Sequence, residues 1–141
     1  MADYLAHKAD RAGLEIEFQQ VFPGRANMLA RFTPAGGRIK RRVLLAPHMD
    51  TVGVADASQL KPTLKNGRLY GRGACDTKGS VAAMFGALLE LTARGARPQE
   101  TEIMFVALVD EESGQAGSRK VAASKLKADL AIVGEPTQCR G

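Results

Sequence analysis

At 141 residues the chain is long enough for one domain with a single core, and 45% apolar against 25% charged residues excludes a disordered or low-complexity segment. A formal net charge of +5 would suit a nucleic-acid binder, but the lysines and arginines are scattered, aromatics are only 5% and tryptophan is absent, which leaves no stacking platform. No run approaches the roughly 18 to 20 uncharged apolar residues of a membrane helix, and the opening MADYLAHKADRAG lacks the apolar stretch of a secretory signal.

Residues 3–12 predict a helix with Gly13 as its stop. LEIEFQQVF, residues 14–22, alternates apolar and polar side chains as a half-buried strand does. NMLARF (27–32) predicts a second strand, joined through the Pro/Gly-rich TPAGG turn to RVLLA (42–46), which is apolar after its arginine. The dense RIKRR run at 38–42 reads as a solvated hairpin end rather than a nucleic-acid patch. Asn66-Gly67, inside LKPTLKNGRLYGRG, marks a two-residue hairpin. From Ser80 to Arg94, the positions Val81, Met84, Phe85, Leu88 and Leu89 follow helical spacing, a core-packing stripe closed by Gly95. TEIMFVALV (101–109) is a continuous apolar strand, GSRKVAASKLK (117–127) holds a short helix, and ADLAIV (128–133) is the last strand.

Continuous apolar strands separated by helices predict an α/β fold: a mixed, largely parallel sheet with helices on both faces. Cys75 and Cys139 are far apart and form no Cys-x-x-Cys pair, so they read as reduced thiols of a cytoplasmic protein.

Chemistry-bearing residues collect where apolar runs end. RVLLA runs into Pro47-His48-Met49-Asp50, IMFVALV into Asp110-Glu111-Glu112, and DLAIVG into Glu135, while GRGACD delivers Asp76 to the start of the long helix. Open α/β sheets bind ligands just beyond the carboxyl ends of their strands. If the three strands are parallel neighbours, one edge gathers an imidazole and several carboxylates, which would repel one another unless a multivalent cation neutralised them. Imidazole plus carboxylates, with no thiolate required, suits zinc, cobalt or manganese better than calcium. The donors exceed what a single catalytic zinc needs and fit two metals sharing a carboxylate, roughly 3.5 to 4 Å apart.

Competing motifs fail. GRGACD begins like Gly-x-Gly-x-x-Gly but has Asp76 at the third glycine, and Lys78-Gly79-Ser80 inverts the order of a phosphate loop. There is no Gly-x-Ser-x-Gly elbow and no His-Glu-x-x-His. Residue chemistry leaves open which of the adjacent Glu111 and Glu112 faces a metal and which faces a water.

HMDTVG, LYGRGACDTKGSVAAM, VDEESGQAGS and AIVGEPT, in that order over about residues 43–137, resemble the co-catalytic dinuclear zinc amidohydrolases and peptidases. That family includes acetylornithine deacetylase, succinyl-diaminopimelate desuccinylase, aminoacylase and carboxypeptidase G. The Gly-Glu-Pro-Thr ending is more similar to the first two branches than to carboxypeptidase G.

The resemblance implies metal-dependent hydrolysis of an amide bond in N-acyl amino acids or small peptides, with two Zn2+ per complete site and Co2+ or Mn2+ as possible replacements. It implies that His48 and Glu135 bind the first metal, Glu112 the second, and that Asp76 bridges them, followed by a cis peptide. Asp50 would hydrogen-bond the other nitrogen of His48 and fix its tautomer, and Glu111 would be the general base, moving a proton from water to the leaving nitrogen. A small-molecule substrate and a homodimer of the full-length parent are implied, with no nucleic-acid or membrane partner. The family pattern also needs a later histidine, an inserted dimerisation domain and a C-terminal catalytic segment, whereas this chain has only His7 and His48. Residues 1–141 are therefore expected to be a partial catalytic metal-binding domain. The alternative is a catalytically inactive metal-binding fragment or pseudoenzyme.

Overall fold

The computed structural model describes residues 1–137. Cys139 lies outside them, and Cys75 is a free, exposed thiol. Helix α1 (Ala2–Arg11) turns Leu5, Ala6 and Ala9 inward and is followed by Gly13 at φ 73°. Strands β1 (Glu15–Phe22) and β2 (Arg25–Phe32) form an antiparallel pair, with Glu15 opposite Arg31 and Phe18 opposite Met28. β3 (Arg41–Leu45) follows the turn that carries the basic run.

A short 3-10 turn, Ala57–Leu60, precedes the two-stranded hairpin of β4 (Thr63–Lys65) and β5 (Arg68–Tyr70), whose turn is Asn66-Gly67. Helix α2 (Lys78–Ala93) starts two residues ahead of the predicted Ser80, because Thr77 and not Gly79 is its N-cap. β6 (Thr101–Ala107), α3 (Ala116–Ala123) and β7 (Leu130–Ile132) complete the order.

The main sheet runs β1-β2-β6-β3-β7. β6, β3 and β7 are mutually parallel, and β2 joins β6 antiparallel, so the mixed, largely parallel sheet is present. Alternate residues of β6 and its extension point to opposite faces. Phe105, Ala107 and Val109 join α1 and α2 in one cluster through Leu5, Ala9, Val81, Phe85 and Leu88, with the Phe85 and Phe105 ring centroids 5.0 Å apart. Met104, Val106 and Leu108 form the second cluster with Leu29, Leu44 and Ala46, under Val121 of α3 and Leu126. Burying a side chain such as Phe105, fully inaccessible here, contributes roughly 1.5–3 kcal/mol.

Helices therefore lie on both faces, but on the α1/α2 side, which Leu130 and Ile132 share with Leu45 and Phe105, cover stops short of β7. Ladder pairing in that strand is limited to Leu130–Ile132 rather than the predicted 128–133, and Leu130 and Ile132 remain 55% and 45% exposed at the sheet edge. Among the described residues no helix is long and apolar enough to cross a membrane.

Candidate metal centre

The parallel ladder assembles the site. Leu45 of β3 sits opposite Phe105 of β6, and the same step continues past both strands to a bridge between His48 and Leu108. Two backbone bonds lock that extension: the Leu108 N–H donates to the Pro47 carbonyl at 2.9 Å, and the Met49 N–H to the Leu108 carbonyl at 2.7 Å. On the other side Leu45 faces Ile132, so three further residues along each segment bring His48 and Glu135 to one level. The polar ends of three parallel strands thus emerge at one sheet edge.

His48 is 1% exposed. Its Nδ1 lies 3.1 Å from the Asp50 backbone carbonyl, which can only accept, so the Nδ1–H donates to it and Nε2 faces outward. Nε2 lies 3.0 Å from Asp76 Oδ1 and 3.8 Å from both Glu111 Oε2 and Glu135 Oε2. The Asp50 carboxylate is 3.6 Å from Nδ1 and has other partners: it accepts from the backbone N–H of Glu111 at 3.2 Å and of Glu112 at 3.1 Å. Glu112 Oε1 in turn accepts from the Val52 N–H at 3.3 Å. The segments after β3 and β6 are therefore cross-tied, and the two glutamate side chains project from a held backbone.

Asp76 precedes α2 and points its Oδ1 at His48, leaving the N-cap position to Thr77. The peptide bond between these two residues is cis. The buried Thr77 hydroxyl donates to the Gly134 carbonyl at 2.8 Å. Gly134 lies so close to α2 that a Cβ there would sit 2.5 Å from Ser80 Cβ, so only glycine lets the chain carrying Glu135 approach the helix.

Partial burial pushes the Glu135 carboxyl above its ordinary range; the charge of His48 opposes this, while those of Glu111, Asp76 and Glu112 add to it. Such repulsion is relieved when a cation sits among the oxygens. Two sets of three donors can hold one: His48 with Glu111 and Glu135, and His48 with Asp76 and Glu112, each with ligand atoms within 4.8 Å of one another. An outward imidazole nitrogen, which offers a lone pair when the ring is neutral, beside carboxylates is a donor set that fits a divalent transition metal.

All the sequence-predicted residues meet here: His48, Asp50, Asp76, Glu111, Glu112 and Glu135. His7 lies on the exposed surface of α1. Thr77 was not singled out by sequence reasoning, nor was the double acceptance of Asp50; the only local signal for Thr77 is a small hydroxyl between Asp76 and the helix start.

The sequence model of peptidase family M20/M25/M40 matches residues 44–141. A peptidase M20 domain-containing protein of Schizosaccharomyces pombe is 34% identical over 140 residues, which cover 98% of this chain and 34% of that relative. The acetylornithine deacetylase of Myxococcus xanthus is 34% identical over 145 residues, covering 98% and 37%. Among solved structures, a tripeptidase from Staphylococcus aureus superimposes with a TM-score of 0.73 at 27% identity, over 93% of this chain and 36% of that one. The chain spans about a third of the length of the relatives it matches.

Proposed function

This chain belongs to peptidase family M20/M25/M40, and from that membership we propose that it forms the metal-binding part of a catalytic domain that hydrolyses an amide bond in N-acyl amino acids or small peptides. The observation that carries the reading is His48 Nε2 lying within 3.8 Å of carboxylate oxygens from Asp76, Glu111 and Glu135.

In this reading His48 and Glu135 would hold one zinc ion and Glu112 a second, with Asp76 available to both; cobalt or manganese share the same ligand preference. When bound, the pair supplies Lewis acidity toward a water and toward the scissile carbonyl. Glu111 would take the proton of that water as its oxygen adds to the amide carbon, and would hand the proton to the nitrogen as the C–N bond breaks, so the products are a carboxylate and a free amine. Asp50 orients His48 through its carbonyl and the Glu111–Glu112 turn through its carboxylate. The remaining metal ligand, a dimerisation domain and the contacts that choose the acyl group belong, in this reading, to the rest of the full-length protein. A reducing compartment such as the cytoplasm suits the free, exposed Cys75.

The test is a zinc titration of the full-length protein together with amine release from N-acetyl and N-succinyl amino acids and from dipeptides and tripeptides. Two zinc ions per chain and turnover that stops on chelation and returns with zinc are expected. A full-length protein that binds no metal, or binds it and hydrolyses none of these, overturns the reading.

One observation favours a second reading for the 141-residue chain alone: both donor sets depend on the same imidazole, His48. A chain with one imidazole at the site would hold a single metal ion and turn nothing over. One zinc per chain without amine release is its signature.

A further inference from the structure

Asn27 is a polar side chain in the middle of the sheet, fully buried on β2 with no accessible surface. Its carboxamide makes three hydrogen bonds. Oδ1 accepts from the Val109 N–H at 3.1 Å, while Nδ2 donates to the Gly117 carbonyl at 3.0 Å and to Gln19 Oε1 at 2.9 Å. The partners fix the amide orientation, since an N–H must meet the oxygen and a carbonyl must meet the NH2. Val109 and Gly117 lie 82 and 90 residues away in sequence, and they are the two flanks of the segment that carries Glu111 and Glu112.

The approach is close enough to demand glycine at 117. A Cβ there would sit 2.3 Å from the Val109 carbonyl oxygen and 2.6 Å from Asn27 Oδ1. Between the clamped ends the loop is curled by Asp110, whose Oδ2 accepts from the Ala116 N–H at 3.2 Å and whose carbonyl accepts from the Gly114 N–H at 3.2 Å. Asp110 and Gln115 sit at φ 68° and 55°, a left-handed conformation that residues other than glycine adopt only when their surroundings hold them there. Asp50 then takes the Glu111 and Glu112 N–H groups from the side.

We infer that Asn27 is a positioning residue, which sets the direction of the Glu111 and Glu112 carboxylates by clamping both ends of their loop with one carboxamide. Only a group that accepts and donates through two atoms of one rigid plane satisfies both flanks; aspartate has the shape but lacks the donors, and serine has one polar atom, on a shorter side chain, in place of two. The inference rests on the metal-centre reading for its effect on metal and turnover, but the clamp itself is independent of it.

The experiment compares Asn27→Asp and Asn27→Ser in the full-length protein with Phe32→Leu, a change in the same strand whose side chain packs in the core away from the loop. Three quantities are read: amide hydrogen exchange of residues 110–117, zinc dissociation constant by chelator competition, and the visible spectrum of the cobalt-substituted protein. For both Asn27 variants, exchange in 110–117 is expected to accelerate, the cobalt bands to shift, and zinc affinity to fall about tenfold or more. Phe32→Leu lowers the melting temperature and leaves the other readouts at wild-type values. Asn27 variants that lose stability as Phe32→Leu does, with wild-type loop protection and cobalt bands, overturn the inference; if Asn27→Asp does not fold, Asn27→Ser alone decides it. A wild-type protein that binds no metal removes the proposed function, and the exchange data still decide the clamp.

Discussion

The Thr77 hydroxyl donates to the Gly134 carbonyl across 2.8 Å, tying the first residue ahead of α2 to the segment that delivers Glu135. This bond is the direct link between the start of the helix, where Asp76 sits, and the end of the third parallel strand. Thr77→Val keeps the shape and removes the donor, leaving a carbonyl unpaired at a cost of about 1–3 kcal/mol. Zinc affinity should fall by about tenfold as Glu135 loses its fixed position, and Thr77→Ser should restore it. Calorimetry and chelator competition on the two variants check both statements; equal zinc affinity in valine and serine variants would refute the link.

Glu111 and Glu112 are adjacent, yet their oxygens fall in different donor sets, Glu111 with His48 and Glu135 and Glu112 with His48 and Asp76. A base beside the first cation and a ligand on the second is one way to divide these positions. Glu111→Gln should then lower turnover by about 10²- to 10⁴-fold while metal content stays near normal. Glu112→Gln should instead lower metal content. Metal analysis of purified variants beside their initial rates distinguishes the two roles, and a Glu111 variant that loses metal first would exchange them.

Much of this centre could be read from the chain itself, and the reason is the parallel register. Apolar runs ending in His48, Asp110 and Glu135 are visible as one-dimensional patterns, and a parallel sheet places such run ends side by side. The helical stripe Val81, Phe85, Leu88 was equally readable, because its partners repeat with the helix period. What escaped are the ties between distant segments. Thr77 meets Gly134 over 57 positions and Asn27 meets Gly117 over 90, and neither leaves a periodic trace. Asp50 shows a subtler loss: a short acid two residues from a histidine can reach the imidazole or the neighbouring loop, and strand register, which is not written locally, turns its carboxylate to the Glu111 and Glu112 amides. ADLAIV overstates the last strand by two residues at its start and one at its end, because apolar composition does not reveal that an edge lacks a second partner.

Crowded carboxylates make metal a ligand for the folded state in particular. At a zinc concentration about 100-fold above the dissociation constant, the folded protein should gain about 2.7 kcal/mol, seen as a rise in melting temperature that EDTA reverses. The gain should shrink as pH falls and protons compete for the ligand oxygens. Asp76→Asn should reduce the gain without lowering the melting temperature of the metal-free protein, because it takes a donor from one of the two sets and removes one charge from a repelling group whose side chain is 48% exposed. A full zinc-induced rise in that variant would show that Asp76 holds no metal.

At the opposite end of the same strands, β6 begins with a buried acid that serves the fold alone. Glu102 has a side chain 3% exposed, pairs with its cross-strand neighbour Arg42, and lies 3.9 Å from Arg31, which also binds Glu17 at 2.7 Å. Removing one member of a fully buried pair costs roughly 3–5 kcal/mol, chiefly because the partner charge is left stranded. Here Arg42 and Arg31 retain 21% and 24% of their side-chain exposure and can turn toward water, so Glu102→Leu should fall at the low end, about 3 kcal/mol by urea unfolding. Combining it with Arg42→Met should recover part of the loss, since no charge is then stranded at the β3 position. Zinc affinity should stay at the wild-type value in both variants, because the paired register holds His48 and Glu111 at the far ends of β3 and β6 from these residues. A drop in zinc affinity matching the drop in stability would mean that the two ends of the sheet are mechanically coupled, and that strand register alone does not hold the centre.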